Sequence, residues 1–172
     1  MPDIAIVDKK DKIIGFIDKE EVHKQNILHR AFSIFIFDKR MNLLIQKRSK
    51  QKYHSAGLWS NSCCSHQEKG EELEQAINRC MENELGVVIN KRISVGKFHY
   101  NVKLENGMNE NELDTIYIAF YNGEKININR DEIEKIEWIN INKLTKDIEV
   151  SPEKYTYWFK YILKEVMFWG EK

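Results

Sequence analysis

Residues 71–86 read EELEQAINRCMENELG, and the rest of the chain is parsed outward from them. Leu73, Ala76, Ile77, Cys80, Met81 and Leu85 recur at helical spacing and make one apolar stripe. Gly86 follows directly, and glycine is the residue that most readily takes the left-handed turn that ends a helix. The stretch therefore predicts an amphipathic helix over Glu71–Leu85 with one face on a core. Glu84 breaks the pattern, because it lies on the apolar stripe with Ile77 and Met81. A carboxylate near a core face is costly unless it is paired, hydrogen-bonded or bound to a metal. Its ordinary fates are escape to solvent or pairing with Arg79 or Arg92, and periodicity leaves these open.

Strand-like segments flank this helix. Ile4–Val7 and Ile13–Ile17 read as short strands around a Lys-rich turn, and Asp18 can cap a short helix over Lys19–Lys24. His29–Phe37 and Leu43–Lys47 are β-rich runs joined by a polar turn, which predicts a hairpin. Trp59–His66 is short and extended. Ile93–Lys103, Glu112–Tyr121 and Ile136–Ile141 follow as strands, with a turn at Asn106-Gly107. Residues from Pro152 to Trp169 read as a final aromatic-rich helix. The sum is an α/β (α+β) domain, a mixed sheet with flanking helices. No repeat or flexible linker divides the 172 residues, so 1–172 is read as a single domain.

Composition excludes several classes of function. Hydrophobic residues make up 42% and aromatics 11%, too many for a disordered chain. Lys plus Arg and Asp plus Glu are 27 each, so the chain lacks the basic excess expected for non-specific nucleic-acid or anionic-membrane binding. No apolar run is long enough to span a bilayer, and the N-terminus lacks the pattern of a secretory signal. Three cysteines, Cys63, Cys64 and Cys80, argue against a disulfide framework and for a reducing, cytoplasmic setting. The chain is read as a monomer or weak dimer with no nucleic-acid or membrane partner.

Certain residues carry chemistry. In an extended Asn61-Ser62-Cys63-Cys64-Ser65-His66 segment, Cys64 and His66 project to the same face. A thiol beside an imidazole or metal can become reactive, whereas Cys80 reads as a buried structural thiol. Glu110 and Glu112, two apart on a strand, also share a face, and that closeness favours a bound cation or a raised pKa on one member. A solvated turn is the plainer alternative. His23 and His29 are not on one helical face but flank a helix-to-strand junction where they could converge on a metal. His54 and His99 read as ordinary histidines.

In order, these pieces resemble the type 1 isopentenyl-diphosphate isomerases of the Nudix superfamily. The resemblance runs from about Lys19 to Phe159. It rests on His23 with Leu28-His29-Arg30-Ala31-Phe32, Gln46-Lys47-Arg48-Ser49, and the Trp-x-Asn-x-x-Cys-x-His run Trp59–His66 with its preceding Gly57-Leu58. It continues through Arg79 with Glu84-Leu85-Gly86, Phe98-His99-Tyr100, Glu110-Asn111-Glu112 and Tyr155-Thr156-Tyr157-Trp158-Phe159. The resemblance implies a Nudix-like mixed sheet, with the helix over 151–169 covering the site. It implies that His23, His29, His66, Glu110 and Glu112 hold one Mn²⁺ or Zn²⁺, and that Glu84 helps bind a Mg²⁺ carrying the substrate's diphosphate. Cys64 and Glu112 would be the catalytic pair, with Tyr100 as a relay or donor beside Glu112. Lys19, Arg48 and Lys52 would contact the diphosphate and Trp158 would line the isoprenyl pocket. The partner is then one small isoprenyl diphosphate.

The chain departs from the family at several points. His23 and His29 are six apart where members often have seven, which shortens the intervening loop by one residue. Ala56 and Gln67 replace usual prolines, Tyr157 replaces the proline of a Thr-Pro-Trp-Phe run, Cys63 is an extra thiol, and Cys80 stands where some relatives carry Arg. A Nudix hydrolase of a nucleoside diphosphate derivative is the main rival. Such enzymes carry Arg-Glu-x-x-Glu-Glu on this helix, and Cys80 and Asn83 occupy two of the three carboxylate positions here. A structural zinc domain built on Cys63, Cys64 and His66 is a second rival, but it explains neither Glu84 nor the Glu-Asn-Glu run.

Overall fold

The computed structural model describes residues 1–170, with the side chains of Trp169 and Gly170 outside the description. The described residues form nine strands in one curled mixed sheet, with four α-helices. β1 (Asp3–Val7) and β2 (Ile13–Asp18) pair antiparallel, and α1 (Lys19–Lys24) follows, capped by the Asp18 carboxylate on the amides of Glu20 and Glu21. β3 (His29–Phe37) is the central strand, buried on both faces. Phe32, Ile34 and Ile36 pack into one core, and Phe35 and Phe37 into the other. The unbroken apolar run is what a strand covered on both faces requires.

The predicted hairpin of β3 with β4 (Asn42–Arg48) is present, closed by a tight turn at Asp38–Asn42, but it is short. The two strands pair only at Phe37 and Leu43. β4 then diverges to run antiparallel with β9 (Ile133–Asn140), while β3 pairs in parallel with β8 (Asn109–Phe120) along its whole length. The Trp59–His66 segment enters the split as β5 (Trp59–Ser60) and β6 (Cys63–His66), which pair with β4 and β3 respectively. Polar side chains close the split. The Ser62 hydroxyl accepts from the Ile36 amide at 2.8 Å and donates to the Leu44 carbonyl at 2.6 Å. The Asn61 amide donates to the carbonyls of Ile34 and Cys63. Buried backbone groups left bare where two strands separate need such partners.

α2 (Leu73–Leu85) covers one face and packs Ala76, Ile77, Cys80, Met81 and Leu85 onto β3, β4 and β8. It ends as expected at Gly86, whose φ is 65°, and a Cβ there would lie 2.7 Å from the Asn127 carbonyl. β7 (Arg92–Lys103) pairs with β8, so the Glu110 and Glu112 carboxylates are on a strand rather than in a turn. α3 (Ile141–Val150) has no counterpart among the predicted elements and takes Ile141 from the predicted end of the preceding strand. Its signals are an Asn140 cap and a stripe of Ile141, Leu144 and Ile148. The final helix begins later than Pro152. A 3-10 turn (Pro152–Lys154) precedes α4 (Tyr157–Gly170), which buries Trp158, Phe159, Ile162, Leu163 and Val166 on the second face.

Candidate active site

Strand register brings the site residues together. His29 opens β3 and pairs with Glu112 of the parallel β8. On the other side of β3, Ala31 pairs with His66 at the end of β6. Tyr100 of β7 is opposite Glu112. α1 then delivers His23 from its last turn, fully buried. The ring centroids of His23, His29 and His66 are 4.7, 5.3 and 5.0 Å apart. One ligand atom from each of these histidines, Glu110 and Glu112 lies within 4.8 Å of all the others. The shortened loop between His23 and His29 therefore keeps His23 in the group.

Hydrogen bonds orient two of the imidazoles. His23 Nδ1 lies 2.6 Å from the Lys19 carbonyl and His29 Nδ1 lies 2.8 Å from the Ile27 carbonyl, so each Nδ1 carries the proton and donates. Each Nε2 is left with a free lone pair, buried and without a hydrogen-bond partner. A carbonyl fixing the outer nitrogen while the inner one faces carboxylates is the usual setting of a metal-binding histidine. His66 Nε2 lies 2.9 Å and His29 Nε2 3.3 Å from Glu112 Oε1. Nitrogen and carboxylate donors in this mixture suit a divalent transition metal, so the residues fit such an ion.

The carboxylates divide their charge. Burial, and next the charge of Glu112, push Glu110 well above the usual range. Burial also pushes Glu112 up, but its contacts with Glu110, His29 and His66 outweigh it and hold Glu112 well below. This is the split expected of two close carboxylates, and a bound cation would relieve it. The Tyr100 hydroxyl donates to Glu112 Oε2.

A pocket of about 260 Å³ opens beside this group. Cys64, His66, Tyr100, Glu84, Glu110, Glu112 and Trp158 all line it. Cys64 is partly exposed to the pocket, and its burial among the remaining neighbours raises the thiol well above its ordinary value. Lys19, Arg48 and Lys52 line the pocket too. Burial, with repulsion from Lys52 and Arg48, lowers Lys19 even though Glu110 and Glu112 act to raise it and Lys52 is itself paired with Glu132. Arg48 is 7% exposed and its Nε has no partner, so a donor is buried without its acceptor. The Arg48 guanidinium also sits 5.3 Å from the Trp158 ring. Glu84 neither escapes to solvent nor pairs with Arg79 or Arg92. It is 9% exposed, accepts from Gln46 Nε2 at 3.2 Å, and is raised by burial.

His54, read from the sequence as an ordinary histidine, is in the pocket wall. Its Nε2 is 3.2 Å from Glu110 Oε1, and its ring lies between those of Tyr53 and Trp158 at 4.5 and 5.8 Å. Burial, then Arg48 and His23, push its pKa down to about 2. Tyr53 lines the same wall, with the Lys19 ammonium 5.4 Å from its ring. Both residues sit in an irregular loop where no periodicity reports direction, and that explains why they were missed. His99 is exposed and bonds Asn111, as read.

The sheet, the helix α2 and the site beside its C-terminal end define a Nudix fold. A NUDIX domain matches residues 27–159. Among solved structures, DR0079 from Deinococcus radiodurans superposes with a TM-score of 0.70 at 19% identity, covering 87% of this chain and 90% of that one. The chain is 45% identical over 160 residues to Isopentenyl-diphosphate Delta-isomerase 2 of Photorhabdus laumondii, covering 93% of this chain and 89% of the relative. It is 40% identical to Isopentenyl-diphosphate Delta-isomerase of Serratia proteamaculans, covering 95% and 90%. The chain belongs to the type 1 isopentenyl-diphosphate isomerases of the Nudix superfamily.

Proposed function

We propose that this protein interconverts isopentenyl and dimethylallyl diphosphate in isoprenoid biosynthesis. The observation that carries the reading is one pocket lined by a thiol (Cys64), a carboxylate (Glu112) with its attached phenol (Tyr100), three cations and an indole. The isomerisation adds a proton to the terminal alkene carbon, creating a tertiary carbocation at the neighbouring carbon. Loss of a proton from the next carbon along the chain then places the double bond there. This needs one acid and one base, with roles exchanged in the reverse direction. Burial keeps Cys64 protonated while hydrogen bonds keep Glu112 ionised, so the pair contains one of each.

Lys19, Arg48 and Lys52 bind the diphosphate, with the bare Arg48 Nε as a donor awaiting an anion. The Trp158 ring face stabilises the carbocation. α4 brings Trp158 into the pocket wall, and there its ring helps exclude water that would trap the cation. His23, His29, His66, Glu110 and Glu112 hold one Mn²⁺ or Zn²⁺, and Glu84 helps hold a Mg²⁺ with the diphosphate. Such ions supply positive charge that keeps the carboxylates ionised and offsets the phosphate charge. The reduced thiols fit a cytoplasmic enzyme, and no described helix is long and apolar enough to cross a membrane.

The hydrolase alternative is not favoured, because Cys80 and Asn83 line the pocket where that chemistry wants carboxylates. Incubation with isopentenyl diphosphate and with a nucleotide panel tests the choice. Isomerisation with no nucleotide cleavage is expected, and phosphate release without isomerisation would overturn the assignment.

A further inference from the structure

β6 alternates its side chains, so Cys64 and Cys63 face opposite sides of the sheet. Cys64 joins the pocket, while Cys63 turns under α2 and is fully buried. On α2, Cys80 and Glu84 are one helical turn apart and both face that thiol. The two sulfurs and a Glu84 carboxylate oxygen all lie within 4.8 Å of one another. Cys80 is 3% exposed. This group shares no residue with the histidine and glutamate group. It is also not sealed, because Cys80 and Glu84 line the pocket and leave an entrance on that side.

We propose that Cys63, Cys80 and Glu84 form a second metal site, selective for thiophilic divalent ions of the Zn²⁺ class, and that its occupation inhibits the enzyme. Two sulfur donors and one carboxylate from the protein, with an open position toward the pocket, match the donor set and number that Zn²⁺ accepts. Mg²⁺, which prefers oxygen ligands alone, is a poor competitor there. Binding releases both thiol protons to solvent, and two thiolates with one carboxylate leave the bound site with a single net negative charge. Because Zn²⁺ replaces two protons, the net charge is unchanged, and inhibition follows from withdrawing Glu84 from the wall where the diphosphate's cation would sit. The inhibitory half rests on the function proposed above. The binding half rests only on geometry.

The test uses reduced, metal-depleted full-length protein titrated with Co²⁺, then with Zn²⁺ in the isomerase assay. Wild type should bind two equivalents of Co²⁺ and show a sulfur-to-cobalt charge-transfer band in the near ultraviolet. Cys80→Ser, and Cys80→Ala as a second replacement, should lose the band and one equivalent while keeping the wild-type circular dichroism. Cys64→Ser should keep the band. In turnover, Zn²⁺ beyond the first equivalent should raise KM for isopentenyl diphosphate in wild type but not in Cys80→Ser. No band, a band that survives in Cys80→Ser, or a band lost in Cys64→Ser instead overturns the site. Two equivalents and the band, with turnover indifferent to excess Zn²⁺, overturn the inhibition alone. Two equivalents and the band in a protein with no isomerase activity in any metal state overturn the isomerase reading and the inhibition built on it, and leave the site standing.

Discussion

Cys64 and Glu112 enter one pocket in opposite protonation states, and the proposed chemistry depends on both. Cys64→Ala and Glu112→Gln should each lower kcat by at least about 10²–10⁴-fold, the usual contribution of a positioned acid or base. Circular dichroism should be unchanged, and near-wild-type turnover in either variant would refute the pair. His54 and His66 set a different dependence. Burial holds their folded pKa values at about 2 and about 3, while an unfolded histidine titrates near 6.5. As pH falls below about 6.5 the unfolded chain takes protons that the folded chain refuses, so stability falls with pH and is complete only above that value. Metal-free protein should lose about 1.4 kcal/mol per pH unit for each such histidine. His54→Gln should remove one histidine's share of that slope in urea titrations between pH 6 and 5. An unchanged slope would mean that His54 is protonated in the folded protein. The sequence showed Cys64 and His66 on one face because strand alternation is local. It could not show His54, because the direction of a loop side chain depends on what the loop packs against.

At the scale of elements, the decisive feature is the split between β3 and β4. Both strands were legible, and their hydrophobic runs were read correctly. Their hairpin pairing is present but stops beside the turn, because a two-faced apolar strand such as β3 takes a parallel neighbour from far along the chain. Ser62 joins the separated strands through two buried hydrogen bonds. Ser62→Ala leaves the Ile36 amide and the Leu44 carbonyl without that partner and should cost about 1–3 kcal/mol per group left unsatisfied. The urea midpoint reads the loss, and a variant as stable as wild type would show that the bridge contributes nothing. The helix α3 was missed although Asn140 and the Ile141, Leu144, Ile148 stripe encode it. Its ten residues follow a strand without a glycine or proline to mark the change.

At the scale of the whole molecule, the equal acidic and basic counts conceal a separation of charge. Buried carboxylates and histidines gather at the β3, β6 and β8 ends, and Lys19, Arg48 and Lys52 face the same pocket. Three imidazoles and two glutamates held close without an ion should make the molecule depend on metal for stability. Chelation should lower the thermal midpoint and turnover together, and Mn²⁺ or Zn²⁺ should restore both. A ligand at about 1,000 times its dissociation constant adds about 4.1 kcal/mol to folding. A midpoint indifferent to chelation would show that the group holds no ion. The sequence by itself determined the strands, the α2 stripe and its glycine stop, and which neighbours share a face, because periodicities of 2 and 3.6 are written in adjacent residues. Only the tertiary structure decided that β3 pairs with β8, that His23 reaches His29 and His66, that His54 meets Glu110, and that Cys63 faces Cys80. Those meetings depend on chain segments distant in sequence closing on one core, and no local pattern carries that information.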